Sequence, residues 1–215
     1  MKDRYVLSPH AQGTPEWKQD RCGKATGSRA SDIRAKIKSG EAATRRNYRM
    51  QIVLERITGQ PAPDGFVSAE MEWGMAQEPF ARMAYESKSG LMVHEAGFAY
   101  LPSLPVGCSV DGFIEDGKRK GLAEFKCPLP ATHLKYLDGN CLPPEYEPQV
   151  LHNMWITGAE FTDFVSFDPR FPEKLQLFHI RVERDEKAIK TYEAECMLFL
   201  AECRGLEEQL LKRAA

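Results

Sequence analysis

Several things this 215-residue chain lacks narrow its class. No apolar run approaches the roughly 20 residues that a membrane span needs. The N-terminal MKDRYVLSPH has no apolar signal-peptide core. Both absences point to a cytoplasmic protein with no membrane partner. The six cysteines (22, 108, 127, 141, 196, 203) form no C-x-x-C pair, and they read as reduced, buried thiols. Cys196 and Cys203 are too few to hold an iron–sulfur cluster. A positive surplus is also missing: net charge is −2, from 29 Lys/Arg against 31 Asp/Glu. That balance speaks against a non-specific nucleic-acid binder. The charge is uneven, however. Residues 1–50 hold 12 Lys/Arg and 5 Asp/Glu, so they carry +7 and the remainder −9. A basic segment beside an acidic centre suits phosphate binding next to a metal; a solvated helix face would explain the charge as well. With 42% hydrophobic and 28% charged residues, the chain reads as one domain over residues 1–215.

The chemistry is concentrated in Gly107–Pro128, GCSVDGFIEDGKRKGLAEFKCP. Asp111 lies in a Ser-Val-Asp-Gly turn, and a charged loop leads from it into Leu122–Pro128. Strand side chains alternate between faces, so Glu124 and Lys126 point one way while Ala123 and Phe125 pack on the other. A hairpin would bring Asp111 to Glu124, gathering two carboxylates and one ammonium at a point. That set suits phosphodiester hydrolysis with Mg²⁺, or Mn²⁺ in its place. The cation neutralises developing charge and acidifies water, and the lysine adds a positive donor. The Phe125 carbonyl offers a further oxygen ligand. By itself the pattern is short: Asp-Gly also makes ordinary turns, and Glu-x-Lys is common on exposed strands.

The surrounding segments predict an α/β fold with a central mixed sheet of about five strands, helices on both sides and the site at one sheet edge. Thr26 or Ser28 caps a helix running to about Lys38, with Arg21 and Lys24 beside its N-terminus. Residues 46–58 form an amphipathic helix ending at Gly59, and Arg45, Arg46 and Arg49 extend the basic segment. Ser68–Ser87 reads as a long helix with Met71, Met75, Phe80, Met83 and Ala84 inward, kinked or restarted at Pro79. Leu91–Leu101 is the first predicted strand; Phe161–Phe167 and Leu175–Val182 are two more. Residues 130–138 form a short helix. The following helix, Tyr146–Thr157, sets Tyr146, Gln149 and Asn153 on one face. The last helix aligns Ile189, Tyr192, Cys196, Phe199, Cys203, Leu206 and Leu210 as a seam that buries against the domain or another subunit, and under four heptads favour the domain. The chain thus divides into a basic helical part (1–65), a core (66–185) and a C-terminal helix (186–215).

Trp17-x-x-x-Arg21, WGMAQE, SVDG, LAEFKCP, YEPQVLHNMW, the D-P-R turn and VERDE follow one another in this order. Together they resemble the phage lambda exonuclease, or YqaJ-type viral recombinase, family of the PD-(D/E)xK superfamily, from Trp17 to about Asp185. The resemblance implies a restriction-endonuclease-like core and a Mg²⁺-dependent 5′→3′ exonuclease acting on double-stranded DNA ends. It also implies a preference for a 5′-phosphate, a ring-shaped homotrimer and a single-strand annealing partner, in a phage or prophage protein of the bacterial cytoplasm. On this reading Asp111 and Glu124 ligate the metal, Lys126 serves the attacking water and Glu78 lies near the metal. Arg21, Ser28, Ser109 and Gln149 hold the terminal phosphate, Tyr146 holds the neighbouring backbone, and Met71 is an apolar wedge between the strands. Arg29 stands where an acid is expected. The alternatives are an endonuclease on the same scaffold and a non-catalytic recombination scaffold. The intact Asp111, Glu124 and Lys126 set argues against the latter.

Overall fold

The structure, a computed structural model, describes residues 5–63, 65 and 67–214. The chain begins with strand β1 (Val6–Leu7) and helix α1 (Pro15–Arg21). Thr14 caps α1 by accepting the Trp17 N–H at 3.2 Å, and Pro15 occupies the first turn, where no amide donor is needed. Strand β2 (Ala25–Thr26), a 3-10 turn (Gly27–Arg29) and the short helix α2 (Ala30–Arg34) follow. The helix expected to reach Lys38 therefore stops four residues early. Ala35 adopts an extended ψ of 124°, and neither Thr26 nor Ser28 caps it. Helix α3 (Ala43–Thr58) ends at Gly59 in the left-handed region, with φ of 68°.

Helix α4 (Ala69–Ser89) is capped by Ser68 and runs through Pro79 without a break. Its buried face is Ala81 and Tyr85, whereas Met71, Met75, Phe80 and Met83 are all more than half exposed. The expected inward methionine face is thus turned outward. The predicted strand Leu91–Leu101 is two short strands, β3 (Val93–His94) and β4 (Ala99–Tyr100), which join different sheets. They are split at Gly97, where a Cβ would lie 2.2 Å from the Ser8 carbonyl oxygen, so the N-terminal segment can pass only over a glycine.

Next come β5 (Val106–Cys108), β6 (Gly112–Asp116) and β7 (Arg119–Lys126). Helices α5 (Pro130–Gly139) and α6 (Glu147–Thr157), strands β8 (Phe161–Phe167) and β9 (Leu177–Glu183), and the long α7 (Glu186–Ala214) complete the chain. The main sheet has the order β3-β6-β7-β8-β9 and is mixed: β7 and β8 are parallel, and the other neighbours antiparallel. A second sheet, β1-β4-β5-β2, was not expected.

Alternation along β7 organises the layers. Ala123 and Phe125 pack with Ala81 and Tyr85 of α4 on one face, and Leu122 joins the core of α6 and α7 on the other. Helix α6 lies inside the molecule, with Pro148 and Val150–Ile156 buried. The α7 seam packs inward as expected through Ile189, Tyr192, Cys196, Phe199 and Cys203. Each such large apolar side chain contributes roughly 1.5–3 kcal/mol on burial. All six cysteines are free; Cys141 is exposed and Cys22 half-buried, contrary to the expectation that all were buried. Among the described residues no helix is long and apolar enough to cross a membrane.

Candidate active site

The β6–β7 hairpin sets the site. Gly112 pairs with Ala123, so Asp111 stands beside Glu124 at the point where the ladder opens. Asp111 Oδ2 accepts the Phe125 N–H at 2.7 Å. Lys126 Nζ donates to Glu124 Oε1 at 2.5 Å, as does Gln149 Nε2, while Asn153 Nδ2 approaches Oε2 at 3.4 Å. Lys126 also lies 5.4 Å from the centre of the Tyr146 ring. The face of α6 carrying Gln149 and Asn153 is therefore aimed at β7, with Tyr146, expected as the first helical residue, just before it as the N-cap at the end of a 3-10 turn. Gln149, expected at the terminal phosphate, is bonded to Glu124 here. The cluster sits at the end of the central strand rather than at a sheet edge, because β8 and β9 extend the sheet beyond it.

Charge at this point is unbalanced. Glu124 is 1% exposed. Burial, followed by repulsion from Asp111 and Glu78, pushes its carboxyl up to about 7 against the pull of Lys126. Glu78 on α4 is likewise raised to about 7, by burial and then by Asp111. Burial raises Asp111 too, opposed by Lys126 and the Phe125 amide. For Lys126, burial disfavours the ammonium, but Glu124 and Asp111 outweigh it and raise its pKa. Three acids thus crowd one ammonium, which is a deficit of positive charge.

An oxygen-rich set of this kind fits a hard divalent cation. Among the described residues no three His, Cys, Asp or Glu side chains form a ready cage. Mg²⁺ does not require one, because it is usually held by one or two carboxylates and keeps several waters. Asp111, Glu124 and the Phe125 carbonyl fit that pattern.

A second cluster adjoins the first through Ser109. Arg21 Nη1 donates to Ser109 Oγ at 3.1 Å and Nη2 to Ser28 Oγ at 3.3 Å. Trp17 Nε1 donates to the same Ser109 oxygen at 3.0 Å, and the guanidinium lies 4.3 Å over the Trp17 ring. Burial lowers the Arg21 pKa, so this guanidinium is poorly hydrated and ready for an anion. Arg29 lines the same 390 Å³ cavity as Arg21 and Ser28, with its charge turned to Asp32 and its Nη1 donating to Gln51 at 3.1 Å. Met71, 54% exposed, lines a groove with Met75, Glu78, Lys126 and Tyr146, at the mouth of the site.

The basic segment does not reach the site as a whole. Arg45 and Arg49 pair with Glu41 and with Glu202 of α7. Sequence reasoning gave Asn153 a face but no role, and it passed over His10. No local motif marks His10, which lines the cavity on the Asp111 side.

Against this geometry stand three likenesses. The model of the YqaJ-like viral recombinase domain matches residues 16–160, whereas no curated protein matches the chain. The alkaline exonuclease LHK-Exo from Laribacter hongkongensis is 37% identical over 94% of this chain and 98% of its own, with a TM-score of 0.83. Its complex with dAMP gives 0.84 at the same identity and coverage. A phage-related exonuclease from Haemophilus somnus 129PT, 16% identical over 89% of this chain and 96% of its own, shares the fold with a TM-score of 0.64.

Proposed function

The chain belongs to the YqaJ-like viral recombinase family and is a nuclease, and from that premise we propose a Mg²⁺-dependent 5′→3′ exonuclease. It degrades one strand of linear double-stranded DNA and leaves 3′ single-stranded tails for phage-type recombination. The observation that carries this reading is the convergence of Asp111, Glu124 and Lys126 at the end of β7, with Glu78 beside them.

Asp111, Glu124 and the Phe125 carbonyl would hold Mg²⁺, or Mn²⁺ in its place, with Glu78 as a nearby third acid. When bound, the ion supplies a Lewis acid for the phosphoryl oxygen and lowers the pKa of water. Lys126 orients the attacking water through its ammonium, which also adds positive charge beside the phosphate. Gln149 and Asn153 fix the Glu124 carboxylate so that both its oxygens keep their direction. Arg21, Ser28 and Ser109 take the 5′-terminal phosphate, and Tyr146 flanks the strand beside Lys126. Met71, at the mouth of the groove, wedges the duplex apart. The resemblance to the lambda exonuclease family further supports a ring-shaped homotrimer on double-stranded DNA ends, a single-strand annealing partner, and action in the cytoplasm of a phage-bearing bacterium.

The test is digestion with Mg²⁺ of linear duplexes labelled at the 5′ or 3′ end, 5′-phosphorylated or 5′-hydroxyl, beside covalently closed circles. Mononucleotide release from 5′-phosphorylated linear DNA, with circles intact, is the expected result. Cut circles would replace the exonuclease with an endonuclease.

A further inference from the structure

A cavity of about 670 Å³ opens on the Asp111 side of the site, of a size that takes a ligand. Glu78, Asp111 and Phe125 form one wall, and Arg82, Glu86, Glu95 and His10 contribute to the rest. A polyanionic strand cannot occupy an acid-lined space without a donor facing it. Arg82 is committed already: it pairs with Glu86 and Glu95 and donates to the Val93 carbonyl. That leaves His10.

The position of His10 is built rather than incidental. Its Nδ1 is 2.9 Å from Asp20 Oδ2, and its backbone N–H donates to Ser8 Oγ at 3.1 Å. Ser8 Oγ donates to the same Asp20 oxygen, and Ser8 N–H donates to the Phe98 carbonyl at 2.8 Å. The bare Cα of Gly97 lets the Ser8–His10 backbone pass: a Cβ there would lie 2.9 Å from the His10 carbonyl as well. Asp20 comes from α1, immediately before Arg21, so one helix serves both the imidazole and the guanidinium. Among the described residues His10 Nε2 has no hydrogen-bond partner. A carboxylate on Nδ1 fixes the ring direction, and an imidazolium held in that direction donates its Nε2–H to an anion.

We infer that His10, backed by Asp20, contacts the phosphate backbone of the strand being cut, from the cavity on the Asp111 side of the site. His10 is then a substrate-contacting residue and Asp20 its positioning residue. The inference rests on the nuclease reading above.

The experiment measures binding of the full-length protein to a 5′-phosphorylated duplex end by fluorescence anisotropy, with Ca²⁺ replacing Mg²⁺ to prevent turnover. It is run at pH 6 across a salt series. His10→Ala weakens binding about tenfold, the scale of one charge-assisted hydrogen bond. It also flattens the slope of log affinity against log salt by roughly 0.7–0.9, the share of one phosphate contact. His10→Lys restores the slope, and Asp20→Asn gives a loss of a few fold. An unchanged affinity and slope in His10→Ala would overturn the inference. So would weaker binding with an unchanged slope and a lowered unfolding temperature, which would make His10 only a clasp on the N-terminal turn. Failure of the nuclease reading looks different: the wild type would bind ends in Ca²⁺ yet release no nucleotide in Mg²⁺.

Discussion

Two charged clusters in this molecule are built on opposite terms. Between α3 and α7, Arg45 and Arg49 share Glu41 and Glu202 at 2.7–3.0 Å, two cations to two anions at a wet surface. At the end of β7, Asp111, Glu124 and Glu78 share Lys126 in a buried setting. The first cluster is complete within the chain. The second keeps carboxyls near 7 because burial and mutual repulsion oppose their ionisation. Surplus acid of this kind destabilises a fold unless an external cation completes it, so the imbalance marks function where the balance marks packing. Counting charges along the chain does not separate the two, since the basic segment of residues 1–50 holds both the paired Arg45 and Arg49 and the Arg21, Lys24 and Arg29 that line the cavity beside Ser28.

The largest effect should come from removing the one cation of the unbalanced cluster. Lys126→Ala is expected to lower turnover on linear duplex DNA about 10³-fold, the upper scale for removing one positioned electrostatic donor from an active site. Affinity for the DNA end in Ca²⁺ should stay within about threefold. Turnover retained in this variant would remove Lys126 from the chemistry.

Removing a surplus acid should have opposite consequences for activity and stability. Asp111→Asn keeps an oxygen to accept the Phe125 N–H but deletes one of the crowded charges. Without metal, the variant is expected to unfold about 2–4 °C higher than the wild type, the shift that roughly 1 kcal/mol gives a domain of this size. Mg²⁺ should raise the melting temperature of the wild type, as any ligand of the native state does, and leave that of the variant unmoved. A metal-induced shift that survives in Asp111→Asn would place the ion elsewhere.

The two clusters were not equally legible. The β6–β7 hairpin could be read because period-two alternation places Glu124 and Lys126 on one face whatever surrounds them, and the turn at Asp111 is short. The α6 face carrying Gln149 and Asn153, with Tyr146 at its N-cap, was readable from i, i+3, i+7 spacing. Periodicity does not say which stripe of a helix faces inward, however. On α4 the larger methionine stripe looked like the core, yet the small Ala81 and the single Tyr85 are buried, because Tyr85 donates to Asp163 Oδ2 of β8 at 2.6 Å. The β3/β4 break and the His10–Asp20 pair depend on the N-terminal segment crossing Gly97, a long-range contact without a local signature. The pairing of Arg45 and Arg49 with Glu202 spans more than 150 residues and is equally silent.

A buried titratable group without a charge surplus separates burial from crowding. His152 is fully buried on α6, with Nδ1 2.8 Å from the Tyr192 hydroxyl and Nε2 donating to the Gly107 carbonyl at 2.9 Å. Burial depresses its pKa to about 4, against the Gly107 hydrogen bond. The unfolded chain protonates first, near 6.5. The contribution of His152 to stability is therefore complete above that pH and is lost as pH falls towards 4, by about 3 kcal/mol. Urea unfolding from pH 7.5 to 4.5 should show this loss in the wild type and not in His152→Gln, so the gap between them narrows in acid. A parallel decline would mean that the imidazole is not held neutral.

The smallest effect belongs to the balanced cluster, and it tests the comparison most directly. Glu202 accepts from Arg45 at 2.7 and 2.8 Å and from Arg49 at 2.9 Å, and the Arg45 hydrogen bond leads in holding its carboxyl below the usual range. The side chain is 41% exposed, so water and salt screen most of that attraction. Glu202→Gln should cost only about 0.5–1 kcal/mol, and less in 0.5 M salt. Nuclease turnover and affinity for DNA ends should not change, because Arg45 and Arg49 remain paired with Glu41. If Glu202→Gln instead tightens DNA binding and steepens its salt dependence, the two arginines are a reserve of positive charge that α7 withholds from DNA. The balanced cluster would then share in function.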